Sequence, residues 1–479
     1  MQKQSSPKKE FPFTPRIINP VKIKNVIIFS ADEQIRLTKT VLEKSMPWVS
    51  IDVYTDPLSV GNYRSDGATA LIMDDVALNL VDTSKVKQNN EDAVVVLLSA
   101  SELIHCSPPS VAKEKLPYTV KADLIFAFNK TDCAPEKIIR SVVRSAEDLL
   151  NISKYSKVRR YIFLIVDDEP RWFSQFIPIL YDIIGQRADV MLVRTYEEAL
   201  HFLFGVEEES QINEELYASK GHGDDVICLI TDIFFPKKDD LKSDAGKDLI
   251  QLVQKRYPRI PIIIASKTKE VEAFRNSAFI LPKGDPGSLL TLHKYIQDYT
   301  GMGDFLIENE KEGIFHRIKN IQEMIEILER AGKNTSGASK LRETLEEYGR
   351  RDRISTWLYM HSFRELGDVL RPIQAEGKRM ISMLTKYLKK EVLQMDSTPL
   401  YIDGKKASHL RGLLLSLKTA DPKKIQILSN NDVFSSWLDR KGYTELAEEL
   451  RPIHGTGETL IESLTAIIKK WIDIYEKTP

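Results

Sequence analysis

From Val21 to about Asn151, short runs of β-branched and aliphatic residues alternate with segments whose apolar positions recur at helical spacing. The short runs predict strands at Asn25–Ser30, Val49–Tyr54, Ala68–Met73, Ala93–Ser99 and Asp123–Phe128. Residues 158–300 repeat the alternation, with strands predicted at Arg160–Val166, Asp189–Arg194, Val226–Thr231, Ile260–Ser266 and Ser277–Leu281. In each block the third and fourth strands are almost continuously apolar, as expected where helices cover both faces of a sheet. Each block therefore predicts a doubly wound parallel sheet, whose ligands would gather at the carboxyl ends of its strands.

After about residue 301 the β-branched runs fade. Helical patterns rich in Leu, Glu, Lys and Arg take over, as in Ile321–Arg330 and Glu365–Leu388. This region carries an internal repeat with an offset of 80 residues. One copy has Trp357-Leu358, Phe363, Glu365-Leu366 and Leu370-Arg371-Pro372-Ile373; the other has Trp437-Leu438, Tyr443, Glu445-Leu446 and Leu450-Arg451-Pro452-Ile453. The Trp, Phe/Tyr and Leu positions make one apolar stripe if a turn lies near Ser362 and Gly442. They read as core, whereas Arg371 and Arg451 either accompany the helix end or bind an acidic ligand. A short extended piece precedes each copy, at Gly303–Ile307 and Pro399–Gly404. The chain thus divides into a disordered tail (1–20), two α/β blocks (21–151 and 158–300) and two copies of a mostly helical module (301–390 and 391–479).

Composition narrows the function classes. Among 479 residues, 42% are hydrophobic and 29% charged, the make-up of an ordinary globular protein. The 68 basic and 69 acidic residues leave a net charge of −1, so no global field draws the chain to nucleic acid or to anionic lipid. No basic stripe or helix-turn-helix signature stands out in the C-terminal region, which argues against a nucleic-acid partner. The apolar runs are far shorter than a membrane span. Cys106, Cys133 and Cys228 form no CxxC pair, which suits a reducing compartment. The start is basic and contains Pro but has no apolar signal core, so a cytoplasmic location is expected.

The strand ends of the second block carry the candidate chemistry. The first strand runs into Asp167-Asp168-Glu169-Pro170, the third into Asp232, the fourth ends at Ser266, and Lys283 follows the fifth. Doubly wound topology brings these ends to one edge, where three carboxylates crowd together. Such a cluster repels itself unless it shares a cation. Mg²⁺, which takes one or two carboxylates with waters and a phosphate oxygen, suits that set. A serine hydroxyl and a lysine ammonium could hold the other oxygens of a phosphoryl group.

The constellation resembles the receiver domain of two-component response regulators. The likeness rests on VDDEP at 166–170, TDIFFP at 231–236, Gly246, Ala265-Ser266 and Lys283. It implies a flavodoxin-like (βα)5 fold with Asp232 as the phosphoacceptor. It further implies that Asp167, Asp168, Asp232 and the backbone carbonyl of Phe234 hold Mg²⁺, that Lys283 pairs with the phosphoryl oxygens, and that Ser266 swings toward them. The phosphoryl donor would be a histidine kinase or a phosphotransfer protein. Ile280 stands where receivers usually carry an aromatic residue, and its neighbour Phe279 should face the other way on a strand. Two insertions, Glu207–Asp225 and Lys237–Ser243, are evident, the second bordering the pocket.

The first block resembles a degenerate receiver. Phe29–Glu33 overlays the VDDE segment, Asp74 takes the place of Asp232, Ser99 that of Ser266 and Lys130 that of Lys283. One acid of the pair is absent, with Ala31 in its place. The block is either a docking pseudo-receiver or a weak second phosphoacceptor at Asp74.

Residues 158–373 are similar to the receiver-bearing N-terminal region of bacterial proteins related to phosphoenolpyruvate synthase and pyruvate phosphate dikinase. That likeness implies a regulatory link to a pyruvate-handling enzyme. His316, in a His-x-x-Lys spacing, and His409 lie near predicted helix starts and offer a phosphotransfer alternative. The sequence reading is therefore a Mg²⁺-dependent response regulator, a phosphoacceptor rather than an enzyme. It would signal through its helical module to a downstream protein or to a second copy of itself. A scaffold using both α/β folds only for docking is the alternative.

Overall fold

The computed structural model describes residues 21–100, 121–128, 134–154, 161–212, 221–238, 240, 244–267, 278–283, 287–309, 314–371, 373, 375–395 and 398–477. In the first α/β unit, β1 (Asn25–Phe29), β2 (Ser50–Tyr54), β3 (Thr69–Met73), β4 (Ala93–Ser99) and β5 (Leu124–Ala127) form a parallel sheet in the order β2-β1-β3-β4-β5. In the second, β6 (Tyr161–Val166), β7 (Ala188–Val193), β8 (Val226–Thr231), β9 (Ile262–Ser266) and β10 (Phe279–Pro282) repeat it as β7-β6-β8-β9-β10. Both blocks are thus flavodoxin-like α/β units. Parallel neighbours require crossover connections over the faces, and covered faces require apolar residues on both sides of each strand. Hence β3, β4, β6 and β8 are buried along their whole length.

The two sheets share one core. Val26 and Ile28 of the first sheet and Phe163 and Ile165 of the second belong to a single apolar cluster. The connecting helix Pro135–Lys154 and the helix Pro170–Ile184 fill the space between them. Phe126 packs edge-to-face on Phe173 at 6.0 Å, and the Ala127 amide donates to Ser174 Oγ at 3.0 Å. Separate clusters cover the outer face of each sheet.

The described residues of the remaining chain form two copies of one motif, a short antiparallel hairpin followed by five helices. In the first copy, β11 (Phe305–Asn309) pairs with β12 (Ile314–Ile318); in the second, β13 (Leu400–Ile402) pairs with β14 (Lys405–Ala407). The helices are Ile321–Ala331, Ser336–Arg350, Arg353–Met360, Arg364–Val369 and Gly377–Met395, then Leu410–Thr419, Pro422–Asn430, Val433–Arg440, Thr444–Leu450 and Gly457–Lys477. The helix Gly377–Met395 runs past residue 390, where sequence patterning divides the copies. The offset of 80 reappears in the backbone: Asp352 and Asp432 have φ of 54° and 55°, and Ser362 and Gly442 have φ of 68° and 84° at the expected turns. His316 lies on β12 rather than at a helix start, and His409 caps its helix by accepting from the Gly412 amide. Among the described residues, no helix is long and apolar enough to cross a membrane.

Both copies dock on the second α/β unit through equivalent Asp–Arg pairs. Arg371 lies 3.6 Å from Asp352, donates to the Asp224 carbonyl and stacks over Tyr161 at 4.8 Å. Arg451 lies 3.6 Å from Asp432, which accepts from the Gln186 amide at 2.7 Å. Glu448 joins Arg451 to Arg187 at 3.1 and 3.0 Å, both arginines being buried. Burial alone would raise these acids, but their partners hold Asp432 and Glu448 down at about 2. The acids that Arg371 and Arg451 engage are therefore the chain's own. Tyr161, Arg187 and Asp224 precede β6, β7 and β8 or open them, so the module grips the edge opposite the acidic strand ends.

Candidate functional site

Strand register builds the site. Val166 ends β6 beside Thr231, which ends β8, so Asp167 and Asp232 emerge side by side. The Asp232 amide donates to the Val166 carbonyl at 3.0 Å, fixing the turn between them. On the other side Ser266 pairs with Pro282, and the Lys283 amide donates to the Ser266 carbonyl at 3.1 Å. The lysine then reaches across the strand ends. Its Nζ lies 2.6 Å from Asp167 Oδ2 and 2.5 Å from Asp232 Oδ2. The remaining oxygens take backbone amides, Glu169 N to Asp167 Oδ1 at 3.0 Å and Ile233 N to Asp232 Oδ1 at 2.6 Å.

The two bridged acids differ in access. The side chain of Asp232 is 14% exposed, against 2% for Asp167 and 4% for Lys283, so an incoming reagent meets Asp232 first. Burial pushes the Asp167 carboxyl up to about 6 against the pull of Lys283. Asp168 is pushed up to about 7, by burial and then by the charges of Asp167 and Glu169. Burial would push the Lys283 ammonium down, but Asp167 and Asp232 outweigh it and hold it above the usual lysine range. Negative charge is therefore in surplus at this edge.

Gly246 sets the floor. Its amide donates to the Ile233 carbonyl at 2.9 Å, and a Cβ there would stand 2.2 Å from the Asp232 carbonyl oxygen. Phe234 lies in the bend two residues beyond Asp232, with its side chain against the outer core. Lys237, opening the insertion, bonds to Asp248 and lies 4.2 Å over the Tyr196 ring, and Lys238 donates to Glu197. This described part of the insertion is tied to the neighbouring helix starts. Gly284 and the segment between Lys267 and Ala278 lie outside the described residues.

Two participants escaped sequence reasoning. Arg194, just past β7, donates to the Asp168 carbonyl at 2.6 and 3.2 Å. Trp172, three residues after Glu169, donates its Nε1 to that carboxylate and carries Lys267 at 4.3 Å and Lys283 at 5.8 Å from its ring. An arginine at a strand end and an aromatic one helical turn beyond the acidic run were the available signals. The expected facing of Phe279 holds: Phe279 joins the inner core and Ile280 the outer one. Phe279 stacks on Tyr295 at 4.4 Å, and Tyr295 on Tyr299 at 4.6 Å.

Among the described residues, no three His, Cys, Asp or Glu side chains stand together as a ready metal site. Magnesium needs less, because one or two carboxylates suffice when waters and substrate oxygens complete its octahedron. Asp167 and Asp232 converge, and Asp168 adds a buried carboxyl whose charged form is disfavoured. Hard oxygen donors with surplus negative charge fit the ion.

The first unit has a different chemistry at the equivalent edge. Phe29 ends β1 beside Met73, which ends β3, so Ser30 and Ala31 occupy the positions of Asp167 and Asp168. The sequence overlay removed one acid of the pair; the register removes both. Asp32 instead caps the next helix through the Gln34 amide. Asp74 caps the helix Asp75–Leu80 through the Ala77 amide at 2.8 Å. Its other oxygen accepts from Ser30 Oγ at 2.7 Å and the Ala31 amide at 2.5 Å. Ser99 donates to Asp75 at 2.7 Å, and Lys130 lies outside the described residues.

No protein-family model matches the chain, and no curated protein is similar to it. Among solved structures, a Salmonella typhimurium protein described as sugar-binding aligns over 57% of this chain and 86% of its own, at 10% identity and a TM-score of 0.18. A Bacillus subtilis protein described as a phosphosugar isomerase aligns over 58% and 87%, at 8% identity and a TM-score of 0.18. Scores this low carry no argument about the chain.

Proposed function

We propose that the second α/β unit is a response-regulator receiver that accepts a phosphoryl group on Asp232 and signals through the paired helical copies. The observation that carries this reading is the Lys283 ammonium bridging Asp167 and Asp232 at adjacent strand ends. The donor would be the phosphohistidine of a histidine kinase or phosphotransfer protein. An Asp232 carboxylate oxygen attacks phosphorus, the P–N bond breaks as the P–O bond forms, and the leaving imidazole takes a proton from solvent. Transfer of this kind depends on positioning and charge neutralisation. Lys283, already against the acceptor oxygen, orients Asp232 and meets the charge that arrives. Asp167, Asp168, Asp232 and the Phe234 carbonyl would hold Mg²⁺, which neutralises phosphoryl oxygens when bound.

A chain of contacts supports the output half of the proposal. Lys283 leads into the helix Ser288–Tyr299, along which the Phe279–Tyr295–Tyr299 stack runs. Gly301-Met302-Gly303 follows the end of that helix. The Gly303 carbonyl accepts from Trp357 Nε1 at 3.0 Å and lies 2.9 Å from His361 Nε2. The Met302 carbonyl accepts from Arg187 at 3.2 Å, the arginine bound to Glu448 of the second copy. A shift of Lys283 toward a phosphoryl group would bias this helix, and the helix end is held by residues of both copies.

The first unit has a separate role. Asp74 is engaged as a helix cap, and Ser30 and Ala31 stand where the second unit has Asp167 and Asp168, which favours a pseudo-receiver used for docking over a second phosphoacceptor. The test is exposure of the full chain to beryllofluoride or acetyl phosphate with Mg²⁺. Native protein should be modified once. Asp232→Asn should abolish the modification and Asp74→Asn should leave it intact; modification that persists in Asp232→Asn refutes the assignment.

A further inference from the structure

Away from the acidic strand ends, a cavity of about 570 Å³ opens where the first unit, the connecting helix, the second unit and the second helical copy meet. Its volume is that of a small-molecule site. Lys137, Arg140 and Arg144 fall at three- and four-residue spacing on the connecting helix, so they line one face of it. Arg144 is already taken by Asp148 and Asp189, at 3.1 and 3.5 Å. Lys137 and Arg140, with Lys24 across the cavity, have no hydrogen-bond or ion-pair partner among their side-chain contacts to the described residues. On the acidic side, Glu147 is bonded to Lys22 and to the Ile23 amide. Asp182 is left, feeling the charges of Arg140, His454 and Lys137. Three cations therefore face one acid inside a concave wall, an arrangement that attracts a polyanion.

The rest of the lining asks for something other than bare phosphate. Trp48 is 46% exposed and Ile427 57% exposed, and both line this cavity from opposite sides, one from the first unit and one from the second copy. An accessible indole in a cavity also lined by cations offers a stacking surface for a planar ring. A fatty acid would bring one charge and no ring; a nucleotide brings a ring and several charges. We propose that this cavity binds a nucleotide, with the base against Trp48 and the phosphates against Lys137 and Arg140. Because its walls come from four parts of the chain, an occupant would fasten the second copy to the first unit. The site is independent of phosphoryl transfer at Asp232.

The test is calorimetric titration of the full chain with ATP, GTP, inorganic triphosphate and adenosine. EDTA is present to suppress metal-dependent binding at the strand ends. At least one nucleotide should bind with a Kd below about 100 μM. Triphosphate and adenosine should each bind at least about tenfold more weakly, since each offers half of the recognised chemistry. Arg140→Glu should weaken nucleotide binding by about tenfold or more, and Trp48→Ala by about tenfold. Both changes lie at a solvent-lined wall, and unchanged urea midpoints would show the fold intact. Absence of nucleotide binding up to about 1 mM overturns the proposal. So does triphosphate binding as tight as that of ATP, or nucleotide affinity unaltered in both variants.

Discussion

The two α/β units have the same strand order, yet their equivalent strand ends do opposite things with an aspartate. Asp74 is consumed locally: a helix begins immediately after it, and amides of Ala31 and Ala77 with the Ser30 hydroxyl supply its donors. Asp232 is not a cap, because Pro236 and the following insertion delay the next helix to Ala245. Its carboxylate is held by Lys283 instead. A backbone cap is a fixed, low-cost way to satisfy an acid. A long-range lysine bridge is responsive, because the ammonium can follow charge that arrives. One topology thus yields a capped aspartate or a lysine-bridged one according to where the next helix starts.

The sharpest way to break the contrast is Lys283→Met. It leaves Asp167 and Asp232 adjacent and without their cation, and removing one partner of a buried ion pair costs about 3–5 kcal/mol. The urea midpoint at neutral pH should fall accordingly and recover partly near pH 5, where carboxylates take up protons. A loss below about 1 kcal/mol would mean that the bridge is a surface contact and the two edges are alike.

A somewhat smaller effect concerns protons. Asp168 is pushed up to about 7 and Asp167 to about 6, both above the carboxyl value of 3.8 expected for the unfolded chain. Between those values the folded state keeps protons that the unfolded state has released, so stability falls as pH rises from about 4 to 7. Above that range the slope levels off. In EDTA, Asp168→Asn should flatten the profile and stabilise the protein at pH 8 by roughly 2–4 kcal/mol. At the equivalent positions of the first unit stand Ser30 and Ala31, which are not carboxylic acids. An unchanged profile in Asp168→Asn would place the titrating group elsewhere.

Gly246→Ala probes the floor of the lysine-bridged edge. The added methyl would meet the Asp232 carbonyl and Ile233 backbone, neither of which can rotate away. Overpacking of this kind costs about 1–3 kcal/mol. The Asp232 loop should shift, so beryllofluoride affinity should fall along with the urea midpoint. Full affinity in a destabilised variant would separate the glycine from the site.

How far the edges were legible follows from the range of the signals. The ten strands end within two residues of their expected positions; the inner strands β3, β4, β6 and β8 are buried on both faces and so apolar almost throughout. Asp167, Asp232, Ser266 and Lys283 could be assembled because strand ends converge whatever the side chains do. What depends on register was misread: Phe29–Glu33 slides by one position against the acidic segment, and only the pairing of Phe29 with Met73 shows that neither acid is kept. The hairpin partner β14 has three residues, two of them lysines, and β12 sets an exposed Phe315 beside His316 and Arg317, so no clean alternation marks either. The helical copies' hold on the opposite edge joins Arg187 to Glu448 and Arg371 to Asp224, separations that local pattern cannot reach.

The smallest expected effect is at the capped edge. Asp74→Asn keeps an oxygen to accept from the Ala77 amide, so the cap survives, while its NH2 faces Ser30 Oγ, which can turn to accept, and the Ala31 amide loses its acceptor; the midpoint should fall by less than in the alanine variant. Asp74→Ala removes the cap and leaves the Ala31 and Ala77 amides without their acceptor, at a cost of about 1–2 kcal/mol. In both variants phosphoryl-analogue binding at Asp232 should equal that of the native chain, because the two edges belong to different sheets that meet at a shared apolar core. If Asp74→Asn instead weakened that binding by tenfold or more, a loss of about 1.4 kcal/mol, the first unit would be reporting on the second. The aspartate that serves as a cap in this structure would then have to leave its amides in the activated protein, and the difference between the edges would be a difference of state rather than of sequence.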